Sequence, residues 1–225
     1  MRLDNYLNEL SSSYGSGITF VDIDNTLFYT FAKINVIDDA TGKVVKRLNN
    51  QEFNTYVLPK THHFDFGEFR SAEMFNKTSI PIPKTVKRVK KMIKGIDRRD
   101  SKIIFLTART DLDDKELFLQ TFREHGIPVD RTYVERAGNI QTGTVANAKK
   151  KIIMKYINTG DYRRVRMLDD EDANLKMFLK LQNELPQSLI DKIKKKHNIK
   201  EEESIPAIEF FALKVLPNGS LKRIL

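Results

Sequence analysis

The sequence predicts an α/β protein with a mostly parallel central sheet and helices on both faces. Two observations lead to this fold class. An apolar run at 18–21 stops abruptly at Asp22 and Asp24, as expected for a buried strand that ends at the edge of a sheet. From residue 85 onward, short apolar runs alternate with segments whose apolar residues recur at helical spacing. Such alternation builds a parallel sheet that is covered by helices.

Composition limits the size and class of the protein. The 225 residues, of which 40% are apolar, suffice for one good-sized domain or for one domain with a small insert. The lack of cysteine excludes disulfides and Cys-ligated zinc. Residues 1–14 lack the apolar segment of a signal peptide, and no apolar stretch is long enough to span a bilayer. We therefore expect a cytoplasmic protein with no membrane partner.

The formal net charge of the chain is +9. The basic residues are concentrated at 84–94, 149–155, 163–166 and 192–196. A basic balance suits binding to nucleic acid, an anionic substrate or solubility alone. Because most of these residues lie on predicted helices, a solvated helix face is the simplest interpretation of each cluster.

The N-terminal region is expected to contain one helix before the first strand. Leu3, Leu7 and Leu10 have helical spacing, and residues 11–17 form a Ser/Gly-rich link into the strand.

We interpret residues 29–82 as a small cap-like insertion that packs over the start of the sheet. The core domain then consists of 1–28 and 83–225. Strands are expected at 31–38 and 44–48, with a turn between them. The aromatic residues that follow are Phe53, Tyr56, Phe64, Phe66, Phe69 and Phe75. They form either the insertion's own small core or part of a substrate pocket.

The remaining elements follow from apolar spacing and turn residues. A helix is expected to begin near Thr85 and to end at Gly95, a residue type that often caps helices. The further strands are expected at 101–106, 131–135 and 164–168, and the further helices from about 113 to 126, at 144–157, at 173–184 and at 188–197. The C-terminus is expected to be a hairpin of 208–215 and 221–225 with an Asn-Gly turn.

The first strand ends in two carboxylates, Asp22 and Asp24, followed by Asn25 and Thr26. In an open α/β sheet, ligands bind at the carboxyl ends of the strands. Here one acid can attack phosphorus, the other can move a proton, and both can help to hold a hard cation. The alternative interpretation is a strand followed by an Asx-turn, since Asp and Asn favour turns.

Two later strands end in polar residues at the same predicted edge. The second strand ends at Thr107 and the third at Asp169 and Asp170, and a lysine cluster, Lys149–Lys151, lies on the helix before the third. This set meets the needs of phosphoryl transfer. A carboxylate can approach a phosphate dianion only if a cation and a lysine neutralise the charges. A hydroxyl and backbone N–H groups can then hold the phosphoryl oxygens.

The four motifs together resemble those of the haloacid dehalogenase-like (HAD) phosphohydrolase superfamily. They are Asp22-Ile-Asp24-Asn25-Thr26, the apolar strand ending in Thr107, a lysine, and Leu168-Asp169-Asp170, in the expected order. The resemblance covers about 18–26 and 85–180. It implies a Rossmann-like core and an enzyme, a phosphatase. It does not account for the insertion or for the C-terminal hairpin.

The resemblance also implies the catalytic roles. Asp22 forms an aspartyl-phosphate, Asp24 protonates the leaving group and then activates water, and Thr107 binds the phosphoryl group. The lysine steadies Asp22 and the phosphate. The helix 148–157 is similar to the corresponding part of bacteriophage polynucleotide kinase-phosphatases, which indicates Lys149. Lys150 is the alternative, since neighbouring residues on a helix point about 100° apart.

The implied cofactor is Mg²⁺. Its ligands are Asp22, Asp169, the backbone carbonyl of Asp24, and Asp170 either directly or through water.

The substrate-binding residues implied in the same way are Asn25, Thr26, Ala108 and Arg109. Arg109 contacts either a second phosphate or nucleotide, or forms a salt bridge to Asp111 or Asp113.

Asp172 is the last residue of the acidic run after the third strand, and Asn174 follows it. These two residues either support the metal ligands or cap the following helix. We favour the cap for Asp172.

The expected function is therefore that of a Mg²⁺-dependent phosphomonoesterase. The basic charge and Arg109 favour nucleotides or the 3′-phosphate ends of nucleic acid as partners, with sugar phosphates as a further option. The insertion resembles a modest C1-type cap, which leaves the site open to large substrates. The alternative is an inactive HAD-scaffold protein that binds a nucleotide or a protein partner. The sequence identifies no protein partner.

Overall fold

The computed structural model describes residues 16–97, 100–140, 143–200 and 205–225. The predicted helix at 3–10 and most of the link at 11–17 lie outside these residues. The strands are β1 (Gly17–Val21), β2 (Phe28–Tyr29), β3 (Ile34–Asp38), β4 (Val44–Leu48), β5 (His62–Asp65), β6 (Ile80–Pro81), β7 (Lys102–Thr107), β8 (Tyr133–Arg136), β9 (Arg164–Asp169), β10 (Glu209–Val215) and β11 (Leu221–Ile224). The helices are α1 (Asn50–Thr55), α2 (Gly67–Arg70), α3 (Ala72–Thr78), α4 (Pro83–Lys94), α5 (Lys115–Glu124), α6 (Val145–Ile157), α7 (Asp172–Glu184) and α8 (Gln187–Lys196).

The main sheet has six strands in the order β11-β10-β9-β1-β7-β8. All neighbours are parallel except β11, which pairs antiparallel with β10. Val21 pairs with Phe105 of β7 on one side and with Leu168 of β9 on the other. The register therefore brings the carboxyl ends of these three strands to one level. The predicted fold class, an α/β fold with a small insert sheet and a C-terminal strand pair, is confirmed.

Helices cover both faces of this sheet because successive side chains of each strand point to opposite sides. Phe20 and Met167 face a core that includes residues of α6, α7 and α8. Val21 and Phe105 face a second core that includes residues of α3, α4 and α5. The helices α4 to α8 begin and end within a few residues of the predicted positions, whereas α1, α2 and α3 of the insertion were not predicted. Helix α4 begins at Pro83, whose ring suits the first turn of a helix.

The insertion contains a separate antiparallel sheet in the order β4-β3-β5. Its small core combines Ile34, Val36 and Leu48 with the aromatic residues Phe53, Tyr56, Phe64 and Phe69. Phe75 differs, because it packs into the main core against Phe28 and Phe118. The insertion is thus anchored to the main sheet through α3. The boundaries proposed for the insertion and the core domain stay predictions.

The C-terminal strand pair turns at Asn218-Gly219, as predicted. Gly219 has φ +73° and lies so close to α4 that a Cβ atom there would be 2.6 Å from the side chain of Ile82. Only glycine combines this backbone conformation with this contact. Across the described residues, every helix is too short or too polar to cross a bilayer.

Candidate functional site

Three aspartates meet where β1 and β9 end. Asp22 follows β1 directly, and its N–H donates to the carbonyl of Leu168 at 2.9 Å. Asp169 is the last residue of β9, and Asp170 follows it. One carboxylate oxygen from each of Asp22, Asp169 and Asp170 lies within 4.8 Å of the others. Three convergent carboxylates form a cluster that can hold a metal ion, with the oxygen ligands that Mg²⁺ prefers.

Lys149 joins two of these carboxylates. Its Nζ donates to Asp22 Oδ1 and to Asp169 Oδ2, both at 2.7 Å, and its side chain is only 1% exposed. Helix α6 buries Lys149 on the same side as Ala148, Ile152 and Ile153, which pack against the sheet. Lys150 points elsewhere and pairs with Glu184 at the surface. The structure therefore brings Lys149, and not Lys150, into the aspartate cluster.

The cluster carries an excess of negative charge. Three carboxylates and one ammonium leave two formal negative charges among largely buried groups. Burial raises the pKa of Asp22 well above its usual value, although the charge of Lys149 opposes the rise. Burial, with the charge of Asp169, raises the pKa of Asp170 to about 7. A divalent cation would balance this charge, since a nearby opposite charge favours the ionised form of each carboxylate.

Neighbouring groups orient the carboxylates. Asn174 Nδ2 donates to both oxygens of Asp169, at 3.0 and 3.1 Å, and the Glu171 N–H donates to one of them at 2.9 Å. Thr26 Oγ1 donates to Asp170 at 3.1 Å. Asn174 thus supports Asp169, as one of our two interpretations held. Such supporting hydrogen bonds fix the positions of ligands around a metal.

Asp172 is not the cap that we favoured. Glu171 occupies the capping position of α7 and Asp172 is the first helical residue. Its carboxylate pairs with Lys214 of β10 at 2.8 Å. Lys214 is far from Asp172 in the chain, so the local sequence does not predict this ion pair.

Asp24 lies outside the metal cluster and faces β7 instead. Thr30 Oγ1 donates to it at 2.6 Å and Thr107 Oγ1 at 3.3 Å. Arg109 donates from Nη2 at 2.7 Å and from Nε to both oxygens. Burial alone would raise the pKa of Asp24, but the charge and hydrogen bonds of Arg109 lower it below its usual value. Asp24 is therefore held as a carboxylate in this arrangement.

Arg109 connects Asp24 to the insertion. Its Nη1 donates to the Phe69 carbonyl at 2.9 Å, and its guanidinium lies 4.9 Å from the ring centroids of Phe69 and Phe75. The expected salt bridge to Asp111 or Asp113 is wrong, because Asp24 and the insertion surround the buried guanidinium. In this arrangement Arg109 contacts protein groups at each of its nitrogens. The predicted contact with a substrate phosphate stays a prediction.

The turn after β1 also contains the other predicted binding residues. Asn25 has φ +54°, and its Oδ1 accepts from the Thr30 N–H at 3.4 Å. A turn therefore follows the acidic pair, but its side-chain hydrogen bond spans five residues and is not that of the Asx-turn we considered. Ala108 is exposed beyond the end of β7. Gly138 packs against this segment so closely that a Cβ atom would lie 2.4 Å from the Ala108 carbonyl oxygen.

A cavity of about 640 Å³ adjoins Asp170. The loop after β1, the insertion and the C-terminal strands enclose it together. Its wall includes Asn25, Tyr29, Phe31, Lys33, Asn49, Asn50, Asp170, Lys214 and Pro217. Phe31 is 51% exposed and provides an aromatic surface at this wall. Apart from Asn25 and Asp170, these residues lie outside the sequence motifs.

Sequence reasoning missed the contribution of Thr30, whose hydroxyl holds Asp24. No signal in the chain marks Thr30, since the turn at Asn25 decides where its side chain points. Comparison with models of known protein families gave no match for this chain, and comparison with curated protein sequences gave none either.

Proposed function

We propose that the protein is a Mg²⁺-dependent phosphomonoesterase of the HAD type. The observation that carries the proposal is the position of Lys149, which lies between Asp22 and Asp169 and next to Asp170. A lysine that contacts a nucleophilic carboxylate and a metal ligand at once serves phosphoryl transfer, where negative charges must approach one another. The resemblance of the four motifs to HAD enzymes supports the same assignment.

Mg²⁺ fits the donor set of the site. Asp22, Asp169 and Asp170 offer only oxygen atoms, and their excess of two negative charges matches a divalent cation. These three residues would hold the ion, together with the backbone carbonyl of Asp24. When bound, the ion neutralises charge on the phosphate and on Asp22.

The first step forms a phosphoenzyme. A carboxylate oxygen of Asp22 attacks phosphorus, the bond from phosphorus to the ester oxygen breaks, and Asp24 gives a proton to the leaving alcohol. Lys149 and the hydroxyl of Thr107 hold phosphoryl oxygens. Because Arg109 keeps Asp24 ionised, Asp24 takes up its proton only when this contact loosens.

The second step releases phosphate. Asp24, now a carboxylate, takes a proton from water while the water oxygen attacks phosphorus of the aspartyl-phosphate. The bond between phosphorus and the Asp22 oxygen breaks, which restores the Asp22 carboxylate. Arg109 favours this base form of Asp24.

Nucleotides and nucleic-acid 3′-phosphate ends are the substrates that we favour. The cavity beside Asp170 offers the exposed ring of Phe31, the amides of Asn49 and Asn50, and the ammonium of Lys33. An aromatic surface stacks on any nucleobase, and amides and an ammonium supply hydrogen bonds.

The test is the hydrolysis of p-nitrophenyl phosphate with Mg²⁺ by the native protein and by Asp22→Asn. We expect the native protein to release phosphate and the variant to be inactive yet folded by circular dichroism. Asp191→Asn, an exposed position on α8, is the control and should stay active. Undiminished turnover by Asp22→Asn contradicts the mechanism. A native protein that binds nucleotides without Mg²⁺-dependent hydrolysis would instead be the binding protein of our alternative hypothesis.

A further inference from the structure

A second cavity, of about 490 Å³, lies along α4 and outside the site described above. We call it the α4 groove. It is lined by Pro81, Pro83, Val86, Lys87, Lys90, Lys91, Lys94 and His125. Four of these eight residues are lysines, and none carries a carboxylate.

The described residues do not balance the positive charge of the α4 groove. Lys87, Lys91 and Lys94 are exposed, and none of the three makes an ion pair with another residue in the part of the chain that the structure describes. Helix α4 itself contains no acidic residue. Lys90 Nζ donates to a backbone group, the carbonyl of His125, at 3.4 Å. A concave surface of one sign concentrates ions of the opposite sign.

The spacing of the lysines indicates a polyanion. Lys87, Lys91 and Lys94 follow one another by four and three residues, so that all three lie on one side of the helix. With a rise of about 1.5 Å per residue, they extend over roughly 10 Å. A single phosphate group cannot contact all three, whereas a chain of phosphates can.

The groove is close to the proposed phosphatase site. Tyr29 lines the cavity beside Asp170 and pairs with Ile80 in the β2–β6 ribbon. Pro81, the next residue of β6, lines the α4 groove. The two-stranded ribbon thus contributes a residue to each cavity, and Ile80 is 53% exposed. The α4 groove and the cavity beside Asp170 therefore adjoin the same ribbon, within reach of one flexible chain.

We infer that the α4 groove binds the sugar–phosphate backbone of a nucleic-acid strand whose phosphorylated end lies in the cavity beside Asp170. The inference rests on the proposed function and narrows its substrate class to polynucleotide ends. We favour a nucleic acid over an acidic polypeptide. The groove adjoins a site suited to a phosphate ester, and a nucleic-acid strand can carry such an ester at its end.

The experiment compares the native protein with the triple variant Lys87→Gln, Lys91→Gln, Lys94→Gln. The control triple variant is Lys180→Gln, Lys195→Gln, Lys200→Gln. These three lysines are exposed, and residues one or two positions from each in the chain belong to the core on the other face of the sheet from α4. Binding of a labelled single-stranded oligonucleotide without a terminal phosphate is measured by fluorescence anisotropy over a range of salt concentrations. Each phosphate contact to a single strand adds about 0.7 to the slope of log Kd against log salt concentration. We expect the groove variant to lower this slope by about two, and the control to leave it unchanged.

A slope that is equal in the native protein and the groove variant overturns the inference. So does equally tight, lysine-dependent binding of poly-glutamate, which would identify an acidic polypeptide as the partner. Hydrolysis of p-nitrophenyl phosphate is measured in parallel and should be unchanged in the groove variant. A protein that binds the oligonucleotide through these lysines but hydrolyses no ester supports the groove and contradicts the proposed function.

Discussion

Arg109 Nη2 donates to Asp24 Oδ1 at 2.7 Å, and both side chains are buried. The same guanidinium donates to the Phe69 carbonyl of the insertion. The second aspartate of the first motif is therefore tied to the cap-like insertion through one arginine. The arginine that lowers the pKa of Asp24 therefore also contacts the insertion.

Substitution of Arg109 tests the strength of this link. Arg109→Met would leave the Asp24 carboxylate buried without its cation, so we expect the free energy of unfolding to fall by about 3–5 kcal/mol. Asp24→Asn in the Arg109→Met background should recover much of this loss, because the unpaired charge is gone. Urea unfolding of both variants measures the effect. A loss below about 1 kcal/mol in the single variant would show that water or another group replaces the arginine.

Lys149 and Lys150 form a matched pair for a second test. Lys149→Met removes the donor shared by Asp22 and Asp169, and we expect kcat to fall by about 10²–10³, as for loss of one preorganised donor. Lys150→Met breaks only a surface pair with Glu184 and should change stability by at most about 1 kcal/mol. Steady-state kinetics with p-nitrophenyl phosphate and urea unfolding provide the two measurements. Equal kinetic effects in the two variants would disprove the distinct role of Lys149.

Asn174 is expected to act on metal affinity through Asp169. Asn174→Ala removes hydrogen bonds to both carboxylate oxygens, so Mg²⁺ affinity should fall by about 10- to 100-fold. Isothermal titration calorimetry with Mg²⁺ measures the change. Asn147→Ala, an exposed position on α6, is the control. An unchanged affinity in Asn174→Ala would mean that Asp169 keeps its orientation without this amide.

The pair of Lys196 and Asp161 predicts a pH effect on stability. The hydrogen bond from Lys196 lowers the pKa of Asp161 below its usual value of 3.8. Because the folded-state pKa is the lower one, the stabilisation is complete above about pH 4 and is lost as the pH falls through the folded value. The pair is partly exposed, so the effect is at most about 1 kcal/mol.

In Lys196→Gln the Asp161 pKa should rise towards 3.8, and the acid-dependent part of the stability should shrink. NMR titration of the Asp161 carboxyl measures the pKa, with Lys195→Gln as the control. An Asp161 pKa that is the same in Lys196→Gln and in the native protein would rule out this pair as the cause.

Much of the site was predictable because its residues follow strand ends. Asp22, Thr107 and Asp169 each come directly at the end of an apolar run, and parallel strands bring such ends to one edge. The partner of Arg109 was not predictable in this way. Asp24 is close to Arg109 because β1 and β7 pair in parallel, but the fold of the insertion decides that the Phe69 carbonyl also reaches Arg109.

The sequence by itself determined most strands and helices of the core and the edge of the sheet where the acids meet, because apolar periodicity and strand ends are local properties of the chain. Only the tertiary structure decided that Lys149 faces Asp22, that Arg109 holds Asp24, and that the lysines of α4 line a groove. Each of these depends on the rotation of a helix or the packing of distant segments, and burial of apolar surface across the whole fold sets both.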